Sequence, residues 1–483
     1  MNNKYQQKLI GSLSHFSFLK SAFSSNVDQT ITDGVIDWLR EQNNAVNLNV
    51  EKTSFKKLDL WGYDKHAGSI KHHTGKFFTI DGIQIKTNWG NIPEWNQPII
   101  NQSEIGYLGF ITKEFNGVLH FLMQAKIEPG NVNYAQFAPT IQATRSNYTQ
   151  VHKGEKPFYL EYFQHVKPDQ ILLDQLQSEQ GSRFLKKRNR NTIIRLEDDI
   201  PVYDNFIWLT LAQIKKLMHH DNLVNMDTRT VISGIPFGNF EPGVIDFFNF
   251  LGSAKNHDTV KKAMFKSALS NNSSINSVEN IITFVTHLKS IYDLEITKIP
   301  LDQLQNWIFN ESEIYHKDNK YFKVIAVDVE IENREVTTWN QPMVEPAQEG
   351  LCAFVCKEIN GLMHFAVQAK LECGNFDIIE FAPTVQCLTG NYRQTPQNSL
   401  PFLDYVLNAS KDQIILDTLQ SEEGGRFYRE QNRNMIIIAG DEIPDKLPPN
   451  YIWMTLNQLY IFLKFNNYLN IQARSLIAAI SFV

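Results

Sequence analysis

Along "LHFLMQAKIEPGN" and the Val118 before it, the two-residue spacing predicts a strand with Val118, His120, Leu122, Gln124, Lys126 and, at its exit, Glu128 on one face. Leu119, Phe121, Met123 and Ala125 fall on the other, so one face is expected to be core and the other polar, with Glu128 at the exit turn. Upstream, "GKFFTIDGIQIKT" also alternates and reads as strand, whereas "DGVIDWLREQNN" has the 3.6-residue spacing of an amphipathic helix. Further on, "PDQILLDQLQSEQGSRF" places Ile171, Leu172, Gln175, Leu176 and Glu179 at helical spacing, with Gly181 as a stop. A last helix is expected around Leu209 to His220.

The same pattern then returns at an offset of about 244 residues. "LHFLMQAKIEPGN" (Leu119 to Asn131) comes back as "MHFAVQAKLECGN" (Met363 to Asn375), and "WNQPII" as "WNQPMV". "QFAPTIQATRSNY" pairs with "EFAPTVQCLTGNY", "LLDQLQSEQGSRF" with "ILDTLQSEEGGRF", and "IWLTLAQI" with "IWMTLNQL". The chain therefore reads as an α+β protein made of two tandemly duplicated modules related by an internal pseudo-two-fold repeat. The expected division is 1–240, a linker at 241–277 that is rich in Asn and Ser at "LSNNSSINS" and carries one short helix, and 278–483.

Composition narrows the function classes. With 483 residues, 42% of them hydrophobic, there is ample material for more than one core. A net charge of -6 supplies no basic footprint for nucleic acid or an anionic membrane. No window approaches a membrane span, and "MNNKYQQKLIGSLSHFSFLKSAF" lacks the apolar run of a signal peptide. The four cysteines, Cys352, Cys356, Cys373 and Cys387, form no CxxC pair; they read as buried thiols of a cytoplasmic protein.

Candidate chemistry sits on the repeated polar positions. His120, Gln124, Lys126 and Glu128 recur as His364, Gln368, Lys370 and Glu372, although solvated positions would be free to drift between copies. This favours a pocket lining over a merely wetted sheet face. Arg183 and Arg426 follow the two Gly turns, and a guanidinium fork suits a phosphate as well as it suits a neighbouring carboxylate. Trp95 and Trp339, each followed by Asn-Gln-Pro, are able to stack on a base or sugar or to fill a core. Asn147-Tyr148 and Asn391-Tyr392 either bind ligand or close turns.

"DQLQSEQG" is similar to the tail of a Nudix box, with Leu176, Glu179 and Gly181 in register, as are Leu419, Glu422 and Gly424 in the second copy. Ser178 and Ser421 stand where the first Glu of the metal-binding pair belongs, and Asp174 and Asp417 replace the Arg. These departures argue against a magnesium-dependent diphosphate hydrolase, which needs several carboxylates on one helix face.

Longer segments carry a more specific likeness: "HHTGKFFTIDGI", "QSEIGYLGF", "LHFLMQAKIEPGN", "QSEQGSRFLKKRNRN" and "LVNMDTRTVIS", then "REVTTWNQP", "SEEGGRFY" and "NIQARSLIA". Over almost its whole length the chain resembles the NDP-hexose 2,3-dehydratases of deoxysugar biosynthesis. The resemblance implies two fused Nudix-like modules, a homodimer, and a dTDP-linked 4-keto-6-deoxyhexose as substrate. It further implies loss of the C3 proton and the C2 hydroxyl to give a 3,4-diketo-2,6-dideoxyhexose, which a downstream 3-ketoreductase consumes. The substrate's own ketone is the electron sink, so no cofactor and no metal are expected.

Such a reaction needs a base, an acid and donors to the enolate oxygen. Glu128 or His120 is expected as base and Lys126 as enolate donor or acid, with Glu372, His364 and Lys370 as twins. Arg183 or Arg426 is assigned to the diphosphate. Trp95, Gln97, Gln124, Asn131, Arg145, Asn147 and Tyr148 are assigned to nucleotide and sugar, as are Trp339, Gln341, Gln368, Asn375, Asn391 and Tyr392. The pattern leaves open whether both copies bind nucleotide or one site draws residues from each. The rival reading is a non-catalytic nucleotide-sugar binder built from degenerate Nudix modules.

Overall fold

The computed structural model describes residues 15–24, 29–144, 156–237, 259–269, 273–332, 336–389 and 400–482. The two halves present the same elements in the same order. In each, an amphipathic helix, Gln29–Asn44 or Val278–Ile291, precedes the strands. A group of short strands follows, forming a five-stranded antiparallel sheet, and then a seven-stranded mixed sheet. In the first half the mixed sheet runs from Ile171–Ser178 through Arg188–Arg195, Gly106–Phe115 and Val118–Ile127 to Phe206–Thr210. Its one parallel pairing joins Arg188–Arg195 to Gly106–Phe115. The second half repeats this order and its parallel pair. No described helix is long and apolar enough to cross a membrane.

Local chemistry sets the central hairpins. Asn116-Gly117 and Asn360-Gly361 all have positive φ, between 50° and 74°, the two-residue turn whose twist matches antiparallel strands. The turns bring Glu114 opposite Leu119 and Glu358 opposite Met363. The expected inner face of Val118–Ile127 is observed, with Leu119, Phe121, Met123 and Ala125 in the main core. The other face is not uniformly polar. Leu122 is buried with Ile111, Ile141, Phe163, Ile194 and Phe206 in a second core, so the half-buried polar groups lie only toward the two ends of that face.

The segment expected as a helix over Ile171 to Glu179 is a strand, Ile171–Ser178, paired antiparallel with Arg188–Arg195, and its twin Ile414–Ser421 behaves identically. The Nudix-box register therefore falls on a strand and turn rather than on a helix. Buried Gln177 explains the difference: its amide donates to Leu463 O across the halves at 2.7 Å, a partner that local periodicity does not announce. Of the segment expected as linker, 238–258 lies outside the described residues. The short helix expected there is Thr259–Leu269, and it docks on the second half, where Ser267 Oγ donates to Met363 O at 2.5 Å. Ser21, in the helix 15–22, does the same to Leu119 O in the first half at 2.6 Å.

The halves are interlocked. The strand Leu48–Thr53 leaves the first half and pairs with Phe322–Ile331 of the second, while Leu294–Ile299 of the second pairs with Thr79–Thr87 of the first. The exit turns of the repeated strands cross as well. Gly130 N–H donates to Gly424 O at 2.8 Å and Gly374 N–H to Gly181 O at 2.6 Å. A Cβ on Gly130 would stand 1.7 Å from Phe427 O, and one on Gly374 1.8 Å from Phe184 O. These positions need glycine for close approach rather than for a special φ.

Gly374→Ala is expected to lower stability by about 1–3 kcal/mol, because the backbones on either side cannot retreat. Gly34→Ala, in the helix Gln29–Asn44 with open space around its Cα, should be neutral or stabilising by up to about 1 kcal/mol. Denaturant unfolding of the two variants checks the pair.

Candidate functional site

Both halves contribute to a cleft of about 1490 Å³. Its floor is the end of the strand Val118–Ile127, where Gln124 and Lys126 point in, followed by Glu128 in the exit turn. Its opposite wall comes from the second half: Trp339 and Gln341 on the strand Thr338–Pro346, and Arg426 on the Gly turn. The exchanged strand Leu48–Thr53 extends that wall through Asn49 and Glu51.

Each group is held by identifiable partners. Gln142 Nε2 donates to Glu128 Oε1 at 2.7 Å, while Glu128 Oε2 is buried with no hydrogen-bond partner. Lys126 Nζ lies 3.4 Å from Gln142 O. Trp339 Nε1 donates to Gln341 Oε1 at 3.1 Å, and Gln341 Nε2 donates to Gly425 O at 2.7 Å, so the Trp-Gln pair supports the turn that carries Arg426. Arg426 stacks its guanidinium 4.2 Å from the centre of the Phe78 ring and donates through Nε to Gln102 Oε1 at 3.2 Å.

Acidic and basic groups crowd the inner end of the cleft. Lys187, whose ammonium donates to Glu104 O, is drawn below the ordinary lysine range by burial, against the pull of Glu179 and Glu104. Burial pushes Glu179 up, opposed by Arg474, Lys187 and a 2.7 Å hydrogen bond from Asn189. Glu423 is pushed up to about 7, first by burial and then by Glu128 and Glu179, with Arg426 opposing. Asp227, at the start of the helix Met226–Ser233, completes the lining.

The structure distributes the expected site residues unevenly. Gln124, Lys126, Glu128, Trp339, Gln341 and Arg426 meet in the cleft. Trp95, Gln97, Arg183, Gln368, Lys370 and Glu372 stand at the pseudo-symmetric place and do not line it. There Gln97 donates to Ser182 O at 3.0 Å, Arg183 stacks over Phe322, and buried Glu372 is pushed up by desolvation, with Lys370 and Arg183 opposing. His120 is at the far end of its strand, beyond Leu122, with Nδ1 2.9 Å from Val118 O and its ring against Phe115. His364 is buried and accepts the Ile275 N–H at 3.3 Å. Asn131 and Asn375 are buried in the crossed turns, next to Gly424 and Gly181. Arg145, Asn147, Tyr148, Asn391 and Tyr392 lie outside the described residues.

Among the cleft residues absent from the expected set are Lys187, Asp227 and Glu423. A signal for them was present, because their counterparts in the other copy are Glu430, Gln472 and Gln180, embedded in otherwise matching segments. Among the described residues no group of three or more His, Cys, Asp and Glu side chains is arranged to hold a metal ion.

The profile of the family described as NDP-hexose 2,3-dehydratase matches residues 32–235 and again 278–480, once over each half. The chain belongs to this family. Among its members, dTDP-4-dehydro-6-deoxy-alpha-D-glucopyranose 2,3-dehydratase of Saccharopolyspora spinosa is 43% identical over 98% of this chain and 96% of its own length. The protein of the same name from Amycolatopsis orientalis is 40% identical over 95% of this chain and 92% of its own. That of Streptomyces violaceoruber is 41% identical over 93% and 97%. In this member of the NDP-hexose 2,3-dehydratase family the two profile matches fall one on each of the interlocked halves.

Glu423 gives the cleft a pH signature. Its carboxyl holds a proton to about 7 in the folded chain but only to about 4.3 in an unfolded one. Over that interval the folded state binds more protons, so this group's contribution to stability is complete below the unfolded value and is lost as pH rises through 7. Thermal unfolding of Glu423→Gln, which keeps an acceptor for Gly425 N–H, should show a smaller fall in Tm between pH 5 and 8 than the unsubstituted protein.

Proposed function

We propose that this chain is an NDP-4-keto-6-deoxyhexose 2,3-dehydratase acting on dTDP-4-keto-6-deoxy-D-glucose. The supporting observation is the cleft shared by the halves, which assembles a carboxylate, an ammonium and a guanidinium around one space in a member of this family. A nucleotide sugar needs an aromatic or polar seat for the base, cations for the diphosphate and acid-base groups at the hexose. Trp339 and Gln341 lie toward the outer wall, Arg426 with Lys187 supplies positive charge, and Lys126 with Glu128 lies on the floor.

In this reading Glu128 takes the C3 proton, which the neighbouring C4 ketone makes acidic. Its Oε2 has no competing donor, while the Gln142 bond fixes the rotamer through Oε1. Lys126 donates to the C4 oxygen as it gains enolate charge. Electrons released from C3 then expel the C2 hydroxyl, and the enol tautomerises to the 3,4-diketone. The ketone of the substrate stores the charge throughout, so the chemistry is complete without a redox cofactor. A vicinal diketone on an activated sugar is reactive, and a 3-ketoreductase is the consumer that this product requires. In this reading one site draws residues from each copy, with the floor from the first.

Incubation with dTDP-4-keto-6-deoxyglucose, a 3-ketoreductase and NADPH should yield a 2-deoxy nucleotide sugar at the same rate with and without EDTA. Glu128→Gln should lower that rate by about 10²–10⁴-fold while still binding dTDP, and Lys126→Ala by about 10²–10³-fold. Tight binding without turnover would instead make the chain a nucleotide-sugar binding protein, and metal-dependent nucleotide release a hydrolase.

A further inference from the structure

The helix Met226–Ser233 is tied to Glu128 by a short chain of amides. Asn225 caps it by accepting the Thr228 N–H at 2.8 Å, and its Nδ2 donates to Gln142 Oε1 at 3.1 Å. Gln142 in turn donates to Glu128. The second half reproduces every link: Asn470 accepts the Ala473 N–H at 3.0 Å and donates to Gln386 Oε1 at 2.7 Å, and Gln386 donates to Glu372 Oε1 at 2.9 Å. Within this duplicated frame the second position of the helix differs, being Asp227 beside the cleft and Gln472 in the other copy. Asp227 is 3% exposed and lines the cleft. An amide such as Gln472 cannot release a proton, whereas a buried carboxyl can.

From this geometry we infer that Asp227 is the general acid that protonates the departing C2 hydroxyl, an assignment that rests on the dehydratase reading. The groups facing it are Glu423 on the Gly turn of the second half, Glu179 after the strand Ile171–Ser178, and Glu128 and Lys126 on the floor strand. Arg229 lies on its own helix. Burial, followed by the three carboxylates, raises its pKa well above the ordinary range, with Lys126 opposing. The helix N-terminus favours the anion as well, but by a smaller amount. The side chain is thereby kept as a neutral acid next to the base, a separation of roles between neighbouring carboxyls that acid-base catalysis uses widely.

The step balances. Glu128 takes the C3 proton and the C3–H electron pair becomes the C3=C4 bond of the enolate. Collapse restores the C4 ketone, forms C2=C3 and breaks C2–O, whose oxygen takes the Asp227 proton and leaves as water. The proton held by Glu128 returns to Asp227 through solvent, so one water is lost and nothing is oxidised. Ketonisation then moves the C3 hydroxyl proton out and one proton onto C2.

Full-length Asp227→Asn and dTDP-4-keto-6-deoxyglucose in D₂O test the assignment, with NMR reading deuterium at C3 and the coupled reductase reading product. Dehydration should fall by about 10²–10⁴-fold while the dTDP Kd changes by less than about threefold and deuterium enters C3, because proton abstraction survives when expulsion fails. Asp227→Glu should recover part of the rate, and Gln472→Asn should stay within about threefold of the parent. If Asp227→Asn does not fold, the pH profile of kcat decides: an alkaline fall is expected, and a flat limb overturns the role. Dehydration by Asp227→Asn within about tenfold of the parent, or loss of exchange together with dehydration while dTDP still binds, also overturns it. Parent protein that yields no 2-deoxy product removes the dehydratase reading itself.

Discussion

The exchange of Leu48–Thr53 for Leu294–Ile299 is the constraint on which the rest of the molecule depends. A sheet edge left open exposes a row of unpaired backbone groups, and each half closes its edge with the other's strand. That exchange carries the polypeptide across the pseudo-dyad twice and holds the crossed glycine turns at backbone contact. Buried Arg229 and Arg474 then complete the join. Arg229 donates to Ser421 O and Ser475 Oγ of the second half, and Arg474 to Ser178 O and, at 2.9 Å, Thr230 Oγ1 of the first. Guanidinium groups without solvent need acceptors on all sides, and these come from the other half, so neither half is satisfied alone.

The interlock also explains why the cleft is composite. The turn carrying Arg426 is bridged to its own strand at Val344 and Phe427, yet it faces the floor of the other half because Gly130 and Gly424 touch. Residues that are neighbours in one copy of the sequence therefore serve opposite sites. The conserved frame of strands, caps and amide links is symmetric, but the charges placed on it are not. Lys187, Asp227 and Glu423 are matched by Glu430, Gln472 and Gln180. Lys126, Lys156, Lys187 and Arg426 line the cleft, whereas at the pseudo-symmetric place Glu430 is a buried carboxyl pushed up by desolvation with Arg183 opposing. An anionic diphosphate would be favoured by the first arrangement and opposed by the second.

Much of this was legible before the structure. The opening helix Gln29–Asn44, the strands Thr79–Thr87 and Val118–Ile127, the helix Leu211–Leu217 and the repeat itself follow from short-range periodicity and self-similarity. Which polar groups line the cleft was legible only in part. Gln124, Lys126 and Glu128 were readable from alternation, but His120 shares their parity without sharing their place, because Leu122 between them is covered by a second core. Ile171–Ser178 was misread because its buried glutamines look like the polar face of a helix until their partners in the other half are known.

What the sequence determined alone was therefore everything governed by neighbours along the chain: which segments alternate, where Asn-Gly turns fold back, and that one pattern is written twice. Only the tertiary structure decided which half each element joins and which charged groups share a cavity. The reason is physical. A strand's periodicity specifies the face it buries but not the edge it pairs with, and an unpaired edge or a buried guanidinium is satisfied equally well by a partner about 240 residues away as by one next door.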